Sequence, residues 1–108
     1  MNLALNNATN VIEYYLGRNE DVGVDIVTCG PGLHMLRANT SPLRDRLKRL
    51  KELAFPSKVQ FFACSNTRQG MEKTEGRAIT VVGNATVVPS GVVRLMELQE
   101  DGWSYIRP

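Results

Sequence analysis

The chain is short of the residues that would mark a specialised architecture. It holds two cysteines and one histidine, with no paired C-x-x-C, too few soft ligands for a structural zinc site within one chain. No metal and no cofactor is therefore expected. With 43% apolar residues and so little cysteine, a disulfide scaffold is not expected either. A dominant charge is also lacking: 13 basic side chains against 11 acidic ones leave a net +2, too balanced for a surface that tracks phosphates. A nucleic-acid partner has no support. Nowhere do about 18 apolar residues run together, so no membrane span is expected. Met1 is followed by an amphipathic segment and not by a basic and then apolar leader, which makes the cytoplasm the expected location. Thiols in that compartment stay reduced unless they do redox or transfer chemistry. At 108 residues the chain forms one domain that buries about two-thirds of the surface its unfolded form exposes.

What is present centres on Phe61-Phe62-Ala63-Cys64-Ser65-Asn66-Thr67. Val59 to Ala63 reads as a short strand buried on both faces, and Ser65, Asn66 and Thr67 are all good helix N-cap residues. Cys64 then lies on a strand-to-helix turn, where unpaired backbone N–H groups and the positive end of a helix dipole favour thiolate over thiol. Two readings of Cys64 stand side by side: a reactive thiol, or a small apolar core residue.

Before this stretch, Leu5, Ala8, Ile12 and Tyr15 or Leu16 fall three to four residues apart and predict a helix over 3–16 that Gly17 ends. Val24, Ile26, Val27 and Cys29 form a β run that closes on Gly30-Pro31-Gly32. Residues 30–37 read as a tight turn plus a helical piece with Pro31 at its first position. This is no dinucleotide fingerprint, because Met35 occupies the place of the third glycine, and there is no P-loop lysine. Ser41 and Pro42 open the next helix, in which Leu43, Leu47, Leu50 and Ala54 make a buried stripe. Arg44, Arg46, Lys48, Arg49 and Lys51 cover its remainder. They read as a solvated face, with Asp45–Arg49 and Lys48–Glu52 as i,i+4 pairs.

After a polar, partly helical stretch to Arg77 come two apolar runs, 79–82 and 85–88, separated by Gly83-Asn84, locally a hairpin signal. Pro89-Ser90-Gly91 leads into a last helix that Gly102 terminates, and Trp103 to Ile106 close the chain as a short strand or extended tail. Helices alternating with strands make this an α/β chain with a parallel sheet and helices on its faces. In such a sheet all strands end at one edge, where ligands bind. Cys29 with Gly30 and Gly32, Cys64 with Ser65, Asn66 and Thr67, and Ser90-Gly91 should thus face one crevice. His34, one turn into the helical piece, would be kept neutral by the dipole and able to take a proton from a thiol; a surface or capping role is the alternative.

Ala63-Cys64-Ser65-Asn66-Thr67, Val87-Val88-Pro89-Ser90-Gly91-Val92 and Gly102-Trp103-Ser104-Tyr105-Ile106-Arg107-Pro108, together with Gly30-Pro31-Gly32-Leu33, resemble the small DsrE/DsrF-like, or YchN-like, proteins over nearly the whole chain. The resemblance implies a three-layer α/β/α fold with a mainly parallel sheet, and homo-oligomers, often trimers or hexamers. It implies that Cys64 matches the cysteine that carries sulfur as a persulfide in sulfur-oxidation and transfer-RNA-thiolation members, exchanging it with donor and acceptor proteins. It also implies that of the two late apolar runs only Ala85 to Val88 is a sheet strand. Two departures stand out: Arg68 replaces a usually apolar residue, and relatives open with a strand before the first helix. The expectation is accordingly a domain over 1–108 that lacks the family's first strand, or whose native start lies upstream of Met1.

Two functions follow from these residues. In one, the protein is a sulfur carrier or sulfurtransferase with the persulfide on Cys64. In the other it is a non-catalytic binding module in which N–H groups near Gly30, Gly32 and Gly91 hold a small anion or nucleotide. Cys29 is expected to be a packing residue and no obligatory partner of Cys64, although adjacent strand ends can bring the two thiols close.

Overall fold

The computed structural model describes residues 2–30, 33, 36–37, 44–55, 58–81 and 85–107. The first element is helix α1, Asn2–Gly17, which turns Leu5, Ala8 and Ile12 inward. The chain leaves it through Asn19 in the left-handed region (φ 57), so the reversal expected at Gly17 falls two residues later. Asparagine tolerates that backbone better than most residues.

Strands β1 (Val24–Thr28), β2 (Val59–Cys64) and β3 (Ala85–Val88) form a parallel sheet in the order β1-β2-β3. The register pairs Val24 with Val59 and Thr28 with Ala63, and on the other side of β2 Phe61 with Ala85 and Cys64 with Val88. Because paired residues share a face, the alternation divides the sheet cleanly. Val24 and Ile26, Val59, Phe61 and Ala63, and Ala85 all point into one core, with Leu5, Ala8 and Ile12 of α1 and Leu47, Leu50 and Ala54 of helix α2 (Arg44–Ala54). Met71 of helix α3 (Ser65–Glu75) packs on the same cluster. That placement follows from topology: both crossovers, β1-α2-β2 and β2-α3-β3, step in the same direction, and the right-handed rule puts their helices on one face. Each large side chain fully buried here, Phe61 and Leu47 among them, contributes about 1.5–3 kcal/mol.

Helix α4 (Gly91–Glu100) reverses direction and lies across β1 and β2 on the opposite face. There Arg94 places its guanidinium 4.8 Å from the Phe62 ring centre and Nη2 3.4 Å from Asp25 Oδ2. Burial raises the Asp25 pKa above its ordinary value against the opposing pull of Arg94. The layers are therefore α1, α2 and α3, then the sheet, then α4, which is the α/β/α arrangement expected.

Some expectations change. Gly83 and Asn84 lie outside the described residues, but the described parts of the runs on either side do not pair with each other: β3 pairs in parallel with β2, Ile79 is buried with its N–H donating to Glu72 Oε2 at 2.8 Å, and Val81 makes an isolated antiparallel bridge to Arg37. Arg37, 4% exposed, holds Glu75 of α3 with two hydrogen bonds of 2.8 and 3.0 Å. Lys48 and Arg49 of α2 face solvent, but among the described residues the Asp45–Arg49 and Lys48–Glu52 pairs do not close. Exposed pairs recover little of the side-chain entropy they cost. Residues 103–107 form neither strand nor helix; Trp103 donates its N–H to Leu98 O and lays its ring against Gly23. Ser41, Pro42 and Leu43 lie outside the described residues.

Candidate functional site

Strand β2 runs into α3 without a linker, so Cys64 is both the last strand residue and the N-cap of the helix (φ −72, ψ 117). The capping position thus falls one residue earlier than the side chains that ordinarily fill it. Ser65, Asn66 and Thr67 become the first three helical residues. Only Thr67 of these turns to the sulfur; Ser65 Oγ accepts from Gln69 Nε2, and Asn66 is exposed.

The neutral Cys64 thiol makes no capping hydrogen bond, but donors stand ready for its anion. Burial alone would push its pKa up. The N–H of Gly91, the hydroxyl and N–H of Thr67, and the S–H of Cys29 outweigh that and hold it at about 7 instead of 9.0. Thr67 Oγ1 is itself oriented, accepting the N–H of Gly30 at 3.1 Å. Gly30 has φ +55, a conformation that suits glycine. Cys29 behaves in the opposite way: burial first, and then the neighbouring Cys64 anion, raise its pKa, with the Gly91 N–H opposing. Of the two thiols, Cys64 is accordingly the one that ionises first.

Gly91 explains how α4 comes so close. A Cβ at this position would overlap Cys29 Sγ and stand 3.2 Å from Val27 Cγ1 and 3.4 Å from Cys64 Cβ. Ser90, just before it, caps α4 by accepting the Val93 N–H.

The expected shared crevice is only partly formed. The strand ends carrying Cys29, Gly30, Cys64 and Gly91 do meet, while Gly32 and His34 lie outside the described residues. Beside this meeting point a cleft of about 570 Å³ opens along the α4 face, lined by Gln60, Phe62, Thr86, Val88, Ser90 and Arg94 among others. It reaches Val88, the register partner of Cys64, but Cys64 does not line it and is only 5% exposed. Gly30 and Gly91 do not line it either. Arg68, one turn into α3, has a buried Nε without a hydrogen-bond partner among the described residues. Among the described residues no three His, Cys, Asp or Glu side chains gather as metal ligands.

Sequence reasoning took Cys29 for a packing residue and Gly91 for a donor to a bound anion, and missed that both act on the Cys64 sulfur. The signal for Cys29 was the register: Cys29 follows Thr28, whose partner Ala63 precedes Cys64, so Cys29, just past the end of β1, comes beside Cys64 at the end of β2.

A parallel α/β sheet with a thiol at the junction of its central strand and the following helix defines the class. The family is defined by the whole chain: the DsrE/DsrF-like family model matches residues 1–108, and the protein belongs to that family. Among solved structures it is similar to a protein of unknown function from Methanobacterium thermoautotrophicum, with 29% identity and a TM-score of 0.77 over 98% of this chain and 85% of that one. No curated protein matches. No helix among the described residues is long and apolar enough to cross a membrane.

Proposed function

We propose that this protein carries sulfane sulfur as a persulfide on Cys64 and passes it to a partner thiol. The Cys64 thiolate attacks the terminal sulfur of a donor persulfide; a new S–S bond forms, the donor S–S bond breaks, and the donor leaves as its thiolate. An acceptor thiolate then attacks the same terminal sulfur and releases Cys64 as thiolate, with no net oxidation. The observation that carries this reading is the set of donors from Thr67, Gly91 and Cys29 that lowers the Cys64 pKa to about 7, where a nucleophilic thiol works best near neutral pH. Family membership supports a sulfur-relay role of this kind.

The alternative, an anion-binding module, has less to work with. The Gly30 N–H is spent on Thr67, and the Gly91 N–H serves the two sulfurs, so the anion these groups favour is the thiolate itself. Intact mass after incubation with a persulfide donor separates the two readings. A gain of one sulfur that Cys64→Ser abolishes supports the carrier; no gain, with tight binding of a small anion, supports the module.

The proposal includes a homo-oligomer, trimer or hexamer, acting in the cytoplasm. Its support is an apolar surface on the thinly covered side of the sheet: Val92, Val93 and Met96 on α4 and Tyr105 and Ile106 in the tail are each at least half exposed. Exposed apolar side chains gathered on one helix favour a contact between copies of the chain.

A further inference from the structure

Beyond helping to ionise Cys64, Cys29 makes no bond to the incoming sulfur during loading, yet three observations place it against the same sulfur. Continued one residue past the pair Thr28–Ala63, the register sets Cys29 beside Cys64, and neighbouring strands lie about 4.8 Å apart, within the range of Cα separations a disulfide spans. A Cβ on Gly91 would overlap Cys29 Sγ while touching Cys64 Cβ, so both cysteine side chains crowd the start of α4. The two thiols also bear on each other's ionisation, Cys29 favouring the Cys64 anion and Cys64 opposing that of Cys29. Neither cysteine is in a disulfide.

We propose that Cys29 is a resolving thiol that discharges Cys64. Its sulfur attacks Sγ of the Cys64 persulfide, a Cys29–Cys64 bond forms, the bond from Cys64 Sγ to the terminal sulfur breaks, and that sulfur departs with the Cys29 proton as hydrogen sulfide. Two electrons pass from the cysteine sulfurs to the sulfane sulfur, which is reduced to sulfide while the pair is oxidised to a disulfide. A dithiol reductant returns the pair to its starting state. The inference rests on the persulfide reading of Cys64 and adds an intramolecular exit for sulfur that no acceptor has taken.

The surroundings favour the reaction once sulfur is loaded. In the resting protein the adjoining Cys64 anion is one of the influences that keep Cys29 protonated. With Sγ covalently bound to a second sulfur that charge is gone from Sγ, and the Gly91 N–H, which faces both sulfurs, is left to stabilise the Cys29 thiolate. Discharge is thereby tied to loading.

The test loads reduced protein with inorganic polysulfide, removes excess donor, and follows intact mass and released sulfide without added acceptor. Wild type is expected to gain one sulfur, then lose it as one equivalent of sulfide and end two hydrogens lighter than the reduced chain, with peptides containing Cys29 and Cys64 cross-linked. Cys29→Ser and Cys29→Ala, which lose the Cys29 contribution to ionising Cys64, are expected to load more slowly but to the same one-sulfur end point, then keep the sulfur and release sulfide about tenfold more slowly or less. Persistence of the persulfide in wild type, or equal release from the Cys29 variants, overturns the inference while leaving the carrier intact. Failure of the wild type itself to gain sulfur overturns the carrier reading and this inference with it.

Discussion

The N–H of Gly30, at the end of β1, donates to the Thr67 hydroxyl in the first turn of α3 at 3.1 Å, across 37 residues of chain. This bond aims the hydroxyl proton at Cys64, so Thr67 couples the placement of two strand ends to the charge of the thiol. Thr67→Val is expected to raise the pH midpoint of Cys64 alkylation by roughly one pH unit, the equivalent of one charge-assisted hydrogen bond. Thr67→Ser, which keeps the hydroxyl, is expected to leave it near 7. An unchanged midpoint in the valine variant would show that backbone donors suffice.

Gly91 and Gly70 should respond to alanine with opposite signs. At Gly91 the added methyl meets Cys29 Sγ and Val27, so Gly91→Ala is expected to cost about 1–3 kcal/mol in urea unfolding. At Gly70, inside α3 with nothing within 4 Å of the new atom, alanine is expected to stabilise by about 0.5–1 kcal/mol. Equal effects at the two sites would mean that α4 does not press on the thiols.

Stability should rise with pH in a window set by Cys64. Its folded pKa, about 7, lies below the ordinary 9.0, so its contribution is complete above about 9 and is lost as pH falls through 7. Cys29, shifted upward, acts with the opposite sign but only above 9.0, outside this window. Unfolding free energies measured from pH 7 to 9 are expected to climb more steeply in wild type than in Cys64→Ser; parallel curves would contradict the assignment.

Met96, 54% exposed on α4, and Val92, 62% exposed, belong to the proposed contact between subunits. Met96→Glu combined with Val92→Asp is expected to convert the oligomer to a smaller species in sedimentation velocity without loss of helical signal. A wild-type protein that already sediments as a monomer would remove the oligomer from the proposal.

Much of this molecule could be read from short-range pattern. The spacing of Leu5, Ala8 and Ile12, the stripe Leu47, Leu50 and Ala54, and the apolar run ending at Cys64 all report burial against one core, and periodicity carries that directly. The capping role of Cys64 was hidden because sulfur is not among the side chains that usually fill the position. The hairpin signal at Gly83-Asn84 misled for a different reason: turn chemistry is local, whereas the partner of β3 is chosen by the right-handed crossover through α3. Asp25 lies inside the apolar run of β1, and its partner Arg94 is 69 residues away. The pairing of Cys29 with Cys64 depends likewise on inter-strand register, which no single segment encodes.

The groups that ionise Cys64 come from Cys29, Thr67 and Gly91, and the last of these is made well after the cysteine itself. A chain emerging during synthesis therefore exposes an ordinary thiol, largely protonated and slow to react at neutral pH. The nucleophile comes into being when the start of α4 closes over the ends of β1 and β2. Reactivity at Cys64 is in this sense a product of maturation: the half-made protein is protected from electrophiles by its own incompleteness, and the rate at which Cys64 is labelled at pH 7 reports how much of the population has finished folding.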